Sequence, residues 1–103
     1  MKHYTGESIP IKFDMLMENK KANIMRAVVE VYGPNSVRLL ADTPTFKRGE
    51  VYYSLPGEHT MQPGLYNFIF RMQVRGYGDI SHVAKRKVLK MRAGNKTIQR
   101  VTG

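Results

Sequence analysis

The chain has 103 residues, 42% of them hydrophobic and 24% charged, with no cysteine and a formal net charge of +9. That length supports a single core and one domain over 1–103, and the lack of thiols excludes disulfides, thiolate metal sites and cysteine nucleophiles. No apolar run approaches the ~20 residues needed to cross a bilayer, so membrane insertion is not expected.

The first strand is Ile9-Pro10-Ile11-Lys12-Phe13-Asp14-Met15, which alternates cleanly. Pro10 cannot donate to a ladder, which places the strand near a sheet edge. Glu18 to Lys21 reads as a polar connection. Met25 to Tyr32 is rich in β-branched residues and forms the second strand, closed by the turn signal Gly33-Pro34-Asn35. Ser36 to Ala41 returns as the third strand, in a hairpin with the second, until Asp42-Thr43-Pro44-Thr45 breaks it. Glu50 to Leu55 is the fourth, ended by Pro56-Gly57, and Glu58 to Gln62 is a loop.

Pro63-Gly64 is turn chemistry ahead of the clearest strand in the chain. From Tyr66 to Val74 the even positions are Tyr66, Phe68, Phe70, Met72 and Val74, and the odd ones include Asn67, Arg71 and Gln73. One face is therefore buried and one wet. Tyr66, two residues after Gly64, is placed to return its hydroxyl to loop backbone, as in a tyrosine corner. After the glycine-rich turn Arg75 to Asp79, Ile80 to Met91 runs back as a sixth strand. Its apolar phase slips between Val83 and Val88, which predicts a bulge. Ala93 to Lys96 turns the chain, and Thr97 to Val101 is either a short seventh strand or, with the rest of 93–103, a frayed basic tail. Turn signals at this spacing predict an all-β fold, an antiparallel immunoglobulin-like β-sandwich of about seven strands. Ile11, Phe13, Val29 and Val31 join the even positions of the fifth strand in the expected core.

Catalytic signals are sparse. His3, His59 and His82 lack metal-ligand spacing, and no nucleophile elbow or phosphate loop is present, so no enzyme activity and no cofactor are expected. The charge is more informative. Residues 1–70 carry eight Lys and Arg against seven acids, whereas 71–103 carry nine against Asp79 alone. Such asymmetry points to a negatively charged partner. Arg71, Arg75, Lys85, Arg86, Lys87, Lys90 and Arg92 are the candidate binding cations, with Tyr77 at the hairpin tip as an aromatic able to stack on a base. Tyr52 and Tyr53 are adjacent, so one faces outward, and Tyr52 is taken as a contact residue. Without tryptophan, carbohydrate stacking ranks lower.

The succession Gly6-Glu7-Ser8-Ile9-Pro10-Ile11-Lys12-Phe13, Ala27-Val28-Val29-Glu30-Val31-Tyr32-Gly33-Pro34, Tyr53-Ser54-Leu55-Pro56 and Pro63-Gly64-Leu65-Tyr66-Asn67-Phe68 resembles the immunoglobulin-like modules of bacteriophage tails and baseplates. It is similar to the N-terminal module of baseplate upper proteins of phages infecting Gram-positive hosts. The resemblance covers roughly residues 5–75, in pattern rather than identity. It implies a structural component made in the host cytoplasm, associated with the virion and docking onto other protein subunits. The basic last third would meet an acidic partner surface, and edge pairing would allow homo-oligomers. The alternative is a nucleic-acid-binding accessory protein using the same basic ribbon.

Overall fold

The computed structural model describes residues 2–91. In chain order its strands are β1 (His3–Tyr4), β2 (Ile9–Asp14), β3 (Leu16–Met17), β4 (Lys20–Lys21), β5 (Ile24–Tyr32), β6 (Arg38–Asp42), β7 (Thr45–Lys47), β8 (Glu50–Leu55), β9 (Gly64–Val74) and β10 (Gly78–Leu89). Two sheets face each other. The larger has the order β1-β10-β9-β5-β6 and the smaller β2-β8-β7, while β3 and β4 make a separate two-residue hairpin. The result is an all-β sandwich, antiparallel except where β1 joins β10.

Alternation builds the core. Tyr66, Phe68, Phe70, Met72 and Val74 of β9 are all buried, facing Ile9 and Ile11 of β2 and Val51, Tyr53 and Leu55 of β8, with Val29 and Val31 of β5 alongside. Each such side chain contributes about 1.5–3 kcal/mol when fully withdrawn from water. Phe13, half-buried, closes one end of this layer. Its ring meets Phe70 edge-on with centroids 5.0 Å apart and stacks on His82 at 4.0 Å.

Loops are pinned by named contacts. The Tyr66 hydroxyl donates to the Gln62 carbonyl at 2.6 Å, so the tyrosine corner is present. Buried Thr60 donates through its hydroxyl to the Glu7 carbonyl at 2.7 Å, and its own carbonyl accepts the Gly6 N–H at 3.1 Å. Gly57 is required at this junction, because a Cβ there would fall inside the van der Waals envelope of the Gly6 carbonyl oxygen.

Three local expectations change. The Asp42 to Thr45 break is shorter than the sequence suggests, because Thr45–Lys47 forms β7 against β8. The polar Glu18 to Lys21 connection is a hairpin whose central Glu18 and Asn19 both take positive φ (51° and 67°), as its tight turn demands. The bulge between Val83 and Val88 is absent: β10 pairs with β9 without interruption from Gly78 to Val88. Val83 faces solvent, opposite Ile69, which is why the apolar phase slips in the sequence without a bulge. The expected strand at Thr97 to Val101 and the tail at 93–103 lie outside the described residues.

Candidate docking surface

The outer face of the five-stranded sheet is left open by the smaller sheet, which covers the other side. Because β9 and β10 alternate, the outward positions are Leu65, Asn67, Ile69, Arg71 and Gln73 on β9, and Asp79, Ser81, Val83, Lys85 and Lys87 on β10. Register sets them in rows with β5: Ser81 beside Arg71 beside Val28, then Val83 beside Ile69 beside Glu30, then Lys85 beside Asn67 beside Tyr32. The face thus carries apolar side chains set among polar ones: Val83 adjoins half-buried Ile69, Val28 lies one row away beside Arg71, and Leu65 lies beyond the Lys85–Asn67–Tyr32 row, with Val28 36%, Leu65 47% and Val83 50% exposed.

Its charges fall into two groups. Near the β5–β6 hairpin, Glu30 accepts from Arg71 Nε at 3.0 Å and has Arg38 at 3.9 Å, so one carboxylate is shared by two cations. At the β10 side Lys85 and Lys87 stand exposed, with no acid within ion-pair distance among the described residues. A shallow groove of about 520 Å³ crosses the hairpin end of the face, lined by Arg26, Val28, Arg71, Gln73, Asp79 and Ser81.

The remaining sequence candidates lie elsewhere. Arg86 shares a run with Lys85 and Lys87 but not their face. It points to the inner side of β10, half-buried, and donates to the Lys85 carbonyl at 2.8 Å. Arg75 and Tyr77 sit at the β9–β10 turn, where Arg75 N–H donates to the Asn23 carbonyl at 2.9 Å and the Tyr77 hydroxyl donates to Glu18. That carboxylate holds the Tyr77 proton, raising the phenol's pKa. Tyr52 is exposed on the outer face of the smaller sheet, on the opposite side of the sandwich, near the Lys12–Glu50 ion pair of 3.3 Å. Lys90 is exposed beyond the end of β10, and Arg92 lies outside the described residues. The apolar members of the face, Val28, Ile69 and Val83, were missed in the sequence; the signal for Val83 was its odd position in a strand whose even positions face inward.

The three histidines lie apart: His3 is buried, His59 stands 3.5 Å from Glu58 in a loop, and His82 serves packing. His82 lies against Phe13, and burial, followed by the charge of Arg86, lowers its pKa. Among the described residues no group of three His, Cys, Asp or Glu side chains is placed to hold a metal ion, and no helix is long and apolar enough to cross a membrane.

No protein-family model and no curated protein sequence matches this chain. Among solved structures its fold is similar to that of CopC from Methylosinus trichosporium OB3b, with a TM-score of 0.63 over 88% of this chain and 86% of that one. Identity is 10%, so the likeness shows the β-sandwich fold and nothing finer.

Proposed function

We propose that this chain is a non-enzymatic docking subunit that binds other proteins through the outer face of its larger sheet. On the resemblance carried by residues 5–75, the assembly is a bacteriophage tail or baseplate. The observation carrying the reading is the set of exposed apolar side chains Val28, Leu65 and Val83 with half-buried Ile69 on one face, beside Lys85 and Lys87, which have no ion-pair partner among the described residues. Exposed apolar surface edged by charge is how protein interfaces are built, and the lysines favour an acidic partner and speed its approach.

A nucleic-acid ribbon needs its cations and aromatic side chain together. Here Tyr77 shares the β9–β10 turn with Arg75 alone of the candidate cations, Lys85 lies along β10 about 26 Å away at ~3.3 Å per residue, and Arg86 faces the other way. Fluorescence anisotropy against single- and double-stranded DNA and RNA at about 50 and 200 mM salt tests this directly. The docking reading expects no saturable binding at the higher salt. Micromolar binding that falls steeply with salt and is lost in Lys85→Glu/Lys87→Glu would replace it with the nucleic-acid reading. The phage assignment is checked by mass spectrometry of purified tails and assembly intermediates from the producing lysate; absence of the chain from both would remove it.

A further inference from the structure

β10 forms one long edge of the larger sheet, and most of that edge is unpaired. β1 covers it only at Val88 and Leu89. From Asp79 to Lys87 the strand has a ladder partner on the β9 side alone among the described residues. The Thr5 N–H donates to the Leu89 carbonyl at 2.9 Å, so that carbonyl faces away from β9. Outward and inward backbone groups alternate along an antiparallel strand. Asp79, Ser81, Val83, Lys85 and Lys87 therefore present their N–H and C=O groups to the open side.

Other edges are guarded in the ways sheets avoid unwanted pairing. β2 carries Pro10, β6 pairs with a register shift at Val31/Tyr32, and β7 has three residues. β10 has no proline and no shift against β9.

We propose that this edge pairs antiparallel with the same edge of a second copy, about a two-fold axis through Val83. Val83 is the midpoint of the open stretch Asp79 to Lys87, so this register uses that stretch from end to end. It sets Asp79 opposite Lys87 and Ser81 opposite Lys85, each pair twice by symmetry, with Val83 against its own copy. Directly opposed side chains lie on one face with Cβ atoms about 5 Å apart. The one acid of the last third thus meets a lysine that has no ion-pair partner among the described residues, and the half-exposed Val83 is covered. On the inner side His82 meets Ala84, and the stem of Arg86 lies over Ile80. Neighbouring registers fit less well. An axis through Ala84 sets Lys85 against Val83 and runs Asp79 into Leu89, which β1 already occupies; one through His82 carries Lys87 past the strand end to Tyr77. The interface is isologous and closed, and it joins the open faces of two copies into one continuous sheet surface.

Light scattering and sedimentation of the full chain test the pairing. At high micromolar concentration the mass should be twice 11.8 kDa, with monomer recovered on dilution. Asp79→Lys sets like charges against each other and should weaken association at least about tenfold; adding Lys87→Asp should restore it. Because the Val83 N–H faces the open side, Val83→Pro costs no ladder bond to β9 and should give a folded monomer by circular dichroism. In a chain without cysteine, Val83→Cys should cross-link rapidly under a mild oxidant, since opposed Cα atoms fall within the ~4.4–6.8 Å span of a disulfide, whereas Lys85→Cys should not. A native chain that stays monomeric at every concentration overturns the proposal. So does a dimer that survives Asp79→Lys or Val83→Pro, or one that fails to cross-link through Val83→Cys.

Discussion

Truncating Phe70 probes the centre of the sandwich. Phe70 is fully buried, flanked in register by Val29 on β5 and His82 on β10, and capped by the Phe13 ring from the opposite sheet at 5.0 Å and 73°. Its neighbours on both sides are hydrogen-bonded strands, which cannot collapse into the space the ring leaves. Phe70→Ala should therefore cost about 3–5 kcal/mol, the transfer and cavity terms together. Phe13 is half-exposed, so Phe13→Ala should cost less, about 1.5–3 kcal/mol. The double variant should fall short of the sum by about 0.5–1.5 kcal/mol, the worth of the edge-to-face pair beyond its buried area. Urea unfolding followed by circular dichroism reads all three, with the midpoint shifting at constant slope. In thermal melts the Phe70→Ala loss corresponds to roughly 15–35 °C. A Phe70→Ala cost below about 1.5 kcal/mol, or no coupling to Phe13, would refute this account of how the two sheets are joined.

Tyr66→Phe removes the donor to Gln62 and strands a carbonyl, for a loss of about 1–2 kcal/mol in the same unfolding assay. Gly57→Ala should destabilise the chain by more than that and loosen the Gly6–Thr60 contact, seen as faster amide exchange at Gly6. His82 makes stability depend on acid. Its folded pKa lies below the ordinary 6.5, so the unfolded chain binds more protons between the two values. Stability should fall as pH drops below about 6.5 and level off once folded His82 is itself protonated, and His82→Phe should flatten that part of the profile. Lys85→Glu/Lys87→Glu should leave the unfolding free energy from urea titration within about 0.5 kcal/mol of the native chain's, since both side chains are exposed.

Much of this fold can be read from alternation, and the exceptions have physical causes. β9 is legible because its buried face is unbroken, and Tyr66 because a tyrosine just after Pro63-Gly64 has its loop backbone within reach. β7 escaped because three residues beside Pro44 carry too few alternations to register. The β3–β4 hairpin escaped because Glu18-Asn19 lacks the glycine that usually marks two positive-φ positions. Charge was the harder signal. In the sequence Lys85, Arg86 and Lys87 form one run, but a strand sends alternate residues to opposite faces, so the run never becomes a patch. The candidate docking face was hidden because its apolar members, Val28, Ile69 and Val83, come from different strands and share a face only through register.

The pairing of β1 with β10 also sets an order of events. His3 and Tyr4 are made long before Val88 and Leu89, yet find their place only beside them. The β1–β10 seam therefore cannot close until nearly the whole described chain has been made, and β1 waits without this partner until then. Contacts that span a chain this way slow folding, since the loop must close before any hydrogen bond rewards it. The same seam is held by a parallel pair only two residues long, and it should be the first to open when the finished protein breathes.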